Sequence, residues 1–121
     1  MPIKIFIMGA STGIGKALAK YYANKNVILG LAARRVELLE EVASQCRKSD
    51  AKTYVFKVDV TDEENCSKAA HEFISLTGGI DIVIANSGIG RNDDLLSGSS
   101  QKINKVLSTN VLGVTNTILP F

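Results

Sequence analysis

Apolar residues along this chain follow two alternating rhythms. Short runs at Ile3 to Met8, Val27 to Ala33, Thr53 to Val58 and Ile80 to Ala85 have the length and near-continuous apolar character of strands buried on both faces. Between them the spacing changes to threes and fours. Leu38, Leu39, Val42, Ala43 and Cys46 repeat this way after the second run, and Cys66, Ala69, Ala70, Phe73 and Ile74 after the third. Each set marks one buried stripe of a helix. A helical pattern also follows the first run, and another extends from Lys102 to about Leu119, with a stripe at Ile103, Val106, Leu107, Val111, Val114 and Ile118. Strands alternating with helices predict an α/β fold with a parallel sheet. Thr61 with Glu64 three residues later predicts a capping-box start for the third helix, and Gly78-Gly79 a stop before the fourth strand. Gly88 to Ser100, rich in Gly, Ser, Asn and Asp, reads as a loop.

The junction between the first strand and its helix carries Gly9-Ala10-Ser11-Thr12-Gly13-Ile14-Gly15. Glycine lets a backbone adopt positive φ and approach a ligand closely, and the unpaired N–H groups of a helix start attract anions. The second strand closes a unit of about thirty residues, the length of a βαβ nucleotide-binding unit. A diphosphate at this turn is the expectation. Ser11 and Thr12 either donate hydroxyl hydrogen bonds to phosphate or ribose, or shape the turn.

The end of the second strand reads Ala32-Ala33-Arg34-Arg35. An acid about 20 residues past the glycines would hold a ribose hydroxyl; arginines there suit a 2′-phosphate instead. Both open the following helix, where the helix dipole disfavours cations, so an anionic ligand gives their placement a reason. NADP(H) is therefore expected over NAD(H). The alternative is a pair of solvated arginines with Glu37 as a salt partner.

Composition narrows the class. With 121 residues, 45% of them apolar, and 14 basic against 12 acidic side chains, the chain can bury one core as a single domain, residues 1–121. A net charge of +2 without long charge blocks argues against a nucleic-acid surface. Cys46 and Cys66 lack His or Cys neighbours at metal spacing and are expected to be reduced, buried thiols. The first strand starts almost at Met1, so no signal peptide is expected, and no apolar run reaches membrane-spanning length. A cytoplasmic protein without membrane or metal is the expectation.

Four motifs in order resemble the short-chain dehydrogenase/reductase family over the whole chain. Gly9 to Gly15 has the family's Gly-x-x-x-Gly-x-Gly spacing, Asp59 in Val58-Asp59-Val60 matches its adenine-binding acid, Asn86-Ser87-Gly88 is similar to its Asn-Ala-Gly, and Asn110 in Thr109-Asn110-Val111 matches its active-site asparagine. The resemblance implies a Rossmann-type doubly wound sheet, with the four strands in the order 3-2-1-4. It implies cofactor contacts from Gly9, Ser11, Thr12, Gly13, Ile14, Gly15, Asp59, Val60, Asn86, Ser87 and Gly88, beside Arg34 and Arg35. It implies a proton-relay role for Asn110, whose place on the apolar stripe of its helix demands partners for a buried amide in any case; a structural amide is the other reading. Asp59 could instead cap a turn, a duty that Thr61 is expected to carry. Asn86 could be only a turn residue.

The resemblance further implies hydride transfer between a nicotinamide and a small carbonyl or alcohol substrate, and a homo-oligomer. The family's catalytic Ser and Tyr-x-x-x-Lys pair belong beyond Asn110, and the sequence stops at Phe121. The chain is thus expected to be the cofactor-binding half of such an enzyme, inactive alone. Nucleotide-binding or partner-binding modules without turnover are the alternatives. Met8 stands where the family often has Thr, and Tyr21 with Lys25 imitates the catalytic pair some 12 Å down the first helix from the phosphate end. His71 is expected at the surface.

Overall fold

Alternate side chains of a strand face opposite ways, and in this chain both directions are apolar. The computed structural model describes residues 1–87 and 98–121. Its sheet runs β3-β2-β1-β4, from strands β1 (Ile3–Met8), β2 (Val27–Ala33), β3 (Lys52–Lys57) and β4 (Ile82–Ala85). All pairings are parallel, with Ile5 of β1 opposite Leu29 of β2 and Ile82 of β4. The expected order and class are those observed.

Helices α1 (Gly13–Tyr22) and α2 (Val36–Lys48) cover one face, where Ile5, Ile7, Leu29 and Leu31 meet Ala19, Leu39, Val42 and Cys46. Helix α3 (Glu63–Thr77) covers the other, where Phe6, Met8, Ala32, Phe56 and Val58 meet Cys66, Ala69 and Phe73. The Phe6 ring lies 5.5 Å from that of Phe73 and 4.9 Å from that of Phe121. Gly30 makes room for this stack, since a Cβ there would stand 2.8 Å from the rings of Phe6 and Phe73. Both cysteines are free and buried, as expected. His71 is exposed.

Several boundaries differ from expectation. β3 runs Lys52–Lys57, one residue early at both ends, and β4 begins at Ile82 rather than Ile80. The Asp81 side chain accepts from Lys4 N at 2.8 Å and Asp81 N donates to Lys4 O at 2.9 Å, so a side chain stands in for the first rung of the ladder. At α3 the Thr61–Glu64 capping box does not form. Asp62 caps instead, its carboxylate accepting from Asn65 N at 3.1 Å, as a strong N-cap residue does, while the Thr61 hydroxyl is turned back onto Asp59. The Gly78 stop is as expected, with φ +85 and its N–H bonded to Ile74 O.

The last helical segment is α4 (Ser100–Leu107), a π-helical turn (Ser108–Leu112) and α5 (Gly113–Ile118). The expected loop from Gly88 to Ser100 lies largely outside the described residues. The expected apolar stripe is buried only in part: Val106 is buried, and Ile103 and Val114 are half-buried. Val106, Thr109, Gly113 and Thr117 are buried, whereas Leu107, Val111 and Ile118 are 51%, 56% and 45% exposed. Close approach selects small side chains: a Cβ on Gly113 would stand 3.0 Å from Val60 Cγ2, so the bulkier residues turn outward. No helix among the described residues is long and apolar enough to cross a membrane.

Candidate functional site

A cleft of about 920 Å³ opens at the carboxyl ends of the strands, where open α/β sheets bind ligands. Its floor is the turn from β1 to α1. Gly9 and Gly13 have φ +81 and +59, values that favour glycine. A Cβ on Gly9 would lie 3.0 Å from Ser87 N, whereas one on Gly13 would meet nothing within 4 Å. Gly13 therefore keeps open space open. Thr12, the N-cap of α1, is extended and makes no side-chain cap, and the first turn carries no acid. The helix start leaves its N–H groups and positive dipole end to an outside anion.

Ser11, Thr12, Gly13 and Ile14 line the cleft with Gly9. Gly15 does not. It is buried under the loop, where a Cβ would overlap the Gly9 carbonyl oxygen and stand 2.8 Å from Asn86 Nδ2. Its lack of a Cβ lets α1 pack against the turn. Asn86 ties β4 to the same turn, donating from its N to Met8 O at 3.1 Å and from Nδ2 to Gly9 O at 3.4 Å.

β2 delivers the arginines. Ala33 ends the strand, Arg35 is the N-cap of α2 with no side-chain cap, and Arg34 and Arg35 both line the cleft. Glu37 takes neither; the ion pair among the described residues joins Arg47 to Glu40 at 3.8 Å. β3 delivers Asp59 and Val60 to the facing wall. One Asp59 oxygen, Oδ1, accepts from the Thr61 hydroxyl at 2.6 Å and Thr61 N at 3.0 Å. Asp59 thus carries the turn duty that had been assigned to Thr61, and it still faces the cleft. The Thr61 hydroxyl, then its N–H, with Arg34 adding attraction, hold the carboxyl below its ordinary value, so the cleft keeps its negative charge through neutral pH.

Sequence reading missed Lys102 and Lys105, which line the cleft with Val106 and Thr109. Spacings of three, four and seven put these residues on one helical face. That spacing is present in the sequence, but it runs through charged positions rather than the apolar stripe of the helix. Asn110 lies one residue further, half-buried inside the π-helical turn, and does not line the cleft. Ser87 lines it, and Gly88 is outside the described residues. Tyr21 is 80% exposed and remote from the cleft. The described residues hold no cluster of potential metal ligands.

An oxidoreductase of Listeria monocytogenes whose role is uncharacterized is 37% identical over 114 residues, which are 94% of this chain and 46% of that protein. A short-chain type dehydrogenase/reductase from Mycobacterium marinum superposes with a TM-score of 0.91 at 31% identity, over 98% of this chain and 48% of that one. An alcohol dehydrogenase from the archaeon Thermococcus sibiricus, solved with 5-hydroxy-NADP, superposes with a TM-score of 0.88 at 29% identity, over 100% of this chain and 52% of that one. The chain spans about half the length of these relatives. The sequence pattern of the short chain dehydrogenases matches residues 4–120, and this chain belongs to that family.

Proposed function

We propose that residues 1–121 form the cofactor-binding unit of an NADP-dependent short-chain dehydrogenase/reductase that moves a hydride between nicotinamide and a carbonyl or alcohol carbon. One observation carries the choice of cofactor: Arg34 and Arg35 face the same cleft as the uncapped start of α1, and no acid stands at the end of β2. The glycine turn, with Ser11 and Thr12, would take the diphosphate, and the arginines a 2′-phosphate. Asp59 and Val60 would border the adenine, with Ile14, Ser87 and Gly88 completing the contacts. The open space at Gly13 and the volume of the cleft fit such a ligand. The relative from Thermococcus sibiricus was solved with an NADP derivative, which supports the reading.

When bound, the nicotinamide supplies or accepts the hydride. This chain's residues hold and orient it, and Asn110 contributes to the proton relay of the whole enzyme. The family's Ser and Tyr-x-x-x-Lys pair follow Asn110, so residues 1–121 bind without turnover. The outward Leu107, Val111 and Ile118 suit self-association of the whole protein, and free buried thiols suit a reducing cytoplasm.

Titration with NADPH and NADH, read by their own fluorescence, tests the reading. A charge-assisted arginine contact contributes about 1.5–3 kcal/mol, so Arg34→Ala should weaken NADPH about ten- to a hundredfold and leave NADH within about twofold. A wild-type chain that binds neither nucleotide, or prefers NADH, refutes it.

A further inference from the structure

The turn carrying Asp59 and Val60 is held by side chains that do not line the cleft. Asn65 Oδ1 accepts from Asp59 N at 2.8 Å, and the Cys66 thiol donates to the carbonyls of Asp59 and Val60 at 3.7 Å each. These come from α3, the next element in the chain. A further contact is long-range: Asn116 Nδ2 of α5 donates to Val60 O at 3.1 Å across 56 residues. One helical turn earlier on the same helix, Gly113 takes the Val60 side chain against its backbone. Val60 is therefore gripped at its carbonyl by Asn116 and at its methyls by Gly113, while it lines the cleft.

From this geometry we infer that Asn116 is a positioning residue for the adenine end of the cofactor, locking the Asp59–Val60 turn to α5. The inference rests on the cofactor reading above. Asn116 does not itself line the cleft, so its effect reaches a ligand only through the turn. A carbonyl with a fixed donor has one orientation, which sets the peptide planes on which Asp59 and Val60 meet a ligand. Without the amide, the same carbonyl keeps only the weak, shared Cys66 thiol as a donor, and the turn it belongs to loosens. The grip also links the adenine wall to the helical segment bearing Asn110, three residues before Gly113.

The test uses Asn116→Asp, which keeps the shape and removes the donor, and Asn116→Ala. Two measurements are made on the full chain. Amide hydrogen exchange without ligand reads the turn directly: both variants should speed exchange at Thr61 and Asp62 relative to amides of α2, and unchanged relative rates would overturn the inference whatever the cofactor. Affinity for 2′,5′-ADP, the adenine half, should fall about five- to tenfold, while that for reduced nicotinamide mononucleotide stays within about twofold. Equal losses for both halves would indicate general destabilisation and overturn it. A wild-type chain that does not bind 2′,5′-ADP would refute the cofactor reading and this role with it, even if exchange at the turn had changed.

Discussion

Replacing Gly15 with alanine sets two effects of opposite sign against each other. Alanine in a helix interior is favoured over glycine by about 1 kcal/mol, and Gly15 lies inside α1. Propensity alone therefore predicts a more stable protein. The added Cβ, however, would overlap the Gly9 carbonyl oxygen, with the Gly9 carbonyl carbon and Asn86 Nδ2 each at 2.8 Å. The first obstacle is backbone, and it is itself held, because Gly9 N donates to Ala32 O at 2.8 Å. Relief requires α1 to lift from the sheet, away from Ala19's fully buried contacts. Overpacking against flexible side chains costs about 1–3 kcal/mol, and a fixed carbonyl puts this site at or above the upper end. The net expectation is a loss of about 2 kcal/mol or more, a fall of roughly 10 °C in Tm for a domain of this size. Urea and thermal unfolding followed by far-UV circular dichroism measure it. A variant as stable as the parent would mean that the helix and loop do not touch as described, and the account of the glycine turn would fail.

Gly13→Ala offers the contrast: with φ +59 and nothing within 4 Å of the new Cβ, it should cost only about 1 kcal/mol of stability yet weaken NADPH by tenfold or more, a separation read by pairing unfolding curves with titrations. Burial pushes the Cys66 thiol from 9.0 up to about 11, with Asp62 and Asp59 adding to the shift, so at neutral pH native Cys66 should hold about a hundredfold less thiolate and alkylate at least that much more slowly than in urea; rapid native labelling by iodoacetamide would contradict it. Because the unfolded thiol ionises first, this group makes stability fall as pH rises from about 9 to about 11 and adds nothing below that window, a slope that Cys66→Ala should reduce in denaturation series across those pH values. Lys102→Ala with Lys105→Ala should slow NADPH association several-fold at low ionic strength and little at high salt, since exposed cations beside a cleft act mainly by steering; stopped-flow rates at two salt concentrations decide it.

Where local pattern and tertiary need coincide, the sequence was a sufficient guide. β1 and β2 have the expected bounds because runs buried on both faces leave no ambiguity, and Gly78 stops α3 because only a left-handed residue ends a helix that way. The glycine turn, Arg34, Arg35, Asp59 and Val60 converge on one cleft for a similar reason: each sits at a strand's carboxyl end, and parallel strands bring those ends together. What was not legible depended on partners distant in the chain. Thr61 read as a helix cap because its hydroxyl's preference for Asp59 is invisible to a motif three residues long. The last helix buried Thr109, Gly113 and Thr117 in place of Val111 and Ile118 because its separation from Val60 is set by packing, and small residues won that contact over hydrophobic ones. Lys102 and Lys105 share the face of Val106 and Thr109, which a purely apolar pattern does not mark.

The hydrogen bond from Asn86 to the Gly9 carbonyl spans 77 positions, whereas β1 meets β2 after a single intervening helix. Loop-closure entropy makes the nearer pairing the earlier one. A nascent chain would thus possess its glycine turn in outline once β2 is made, but the turn acquires its final brace only when β4 arrives.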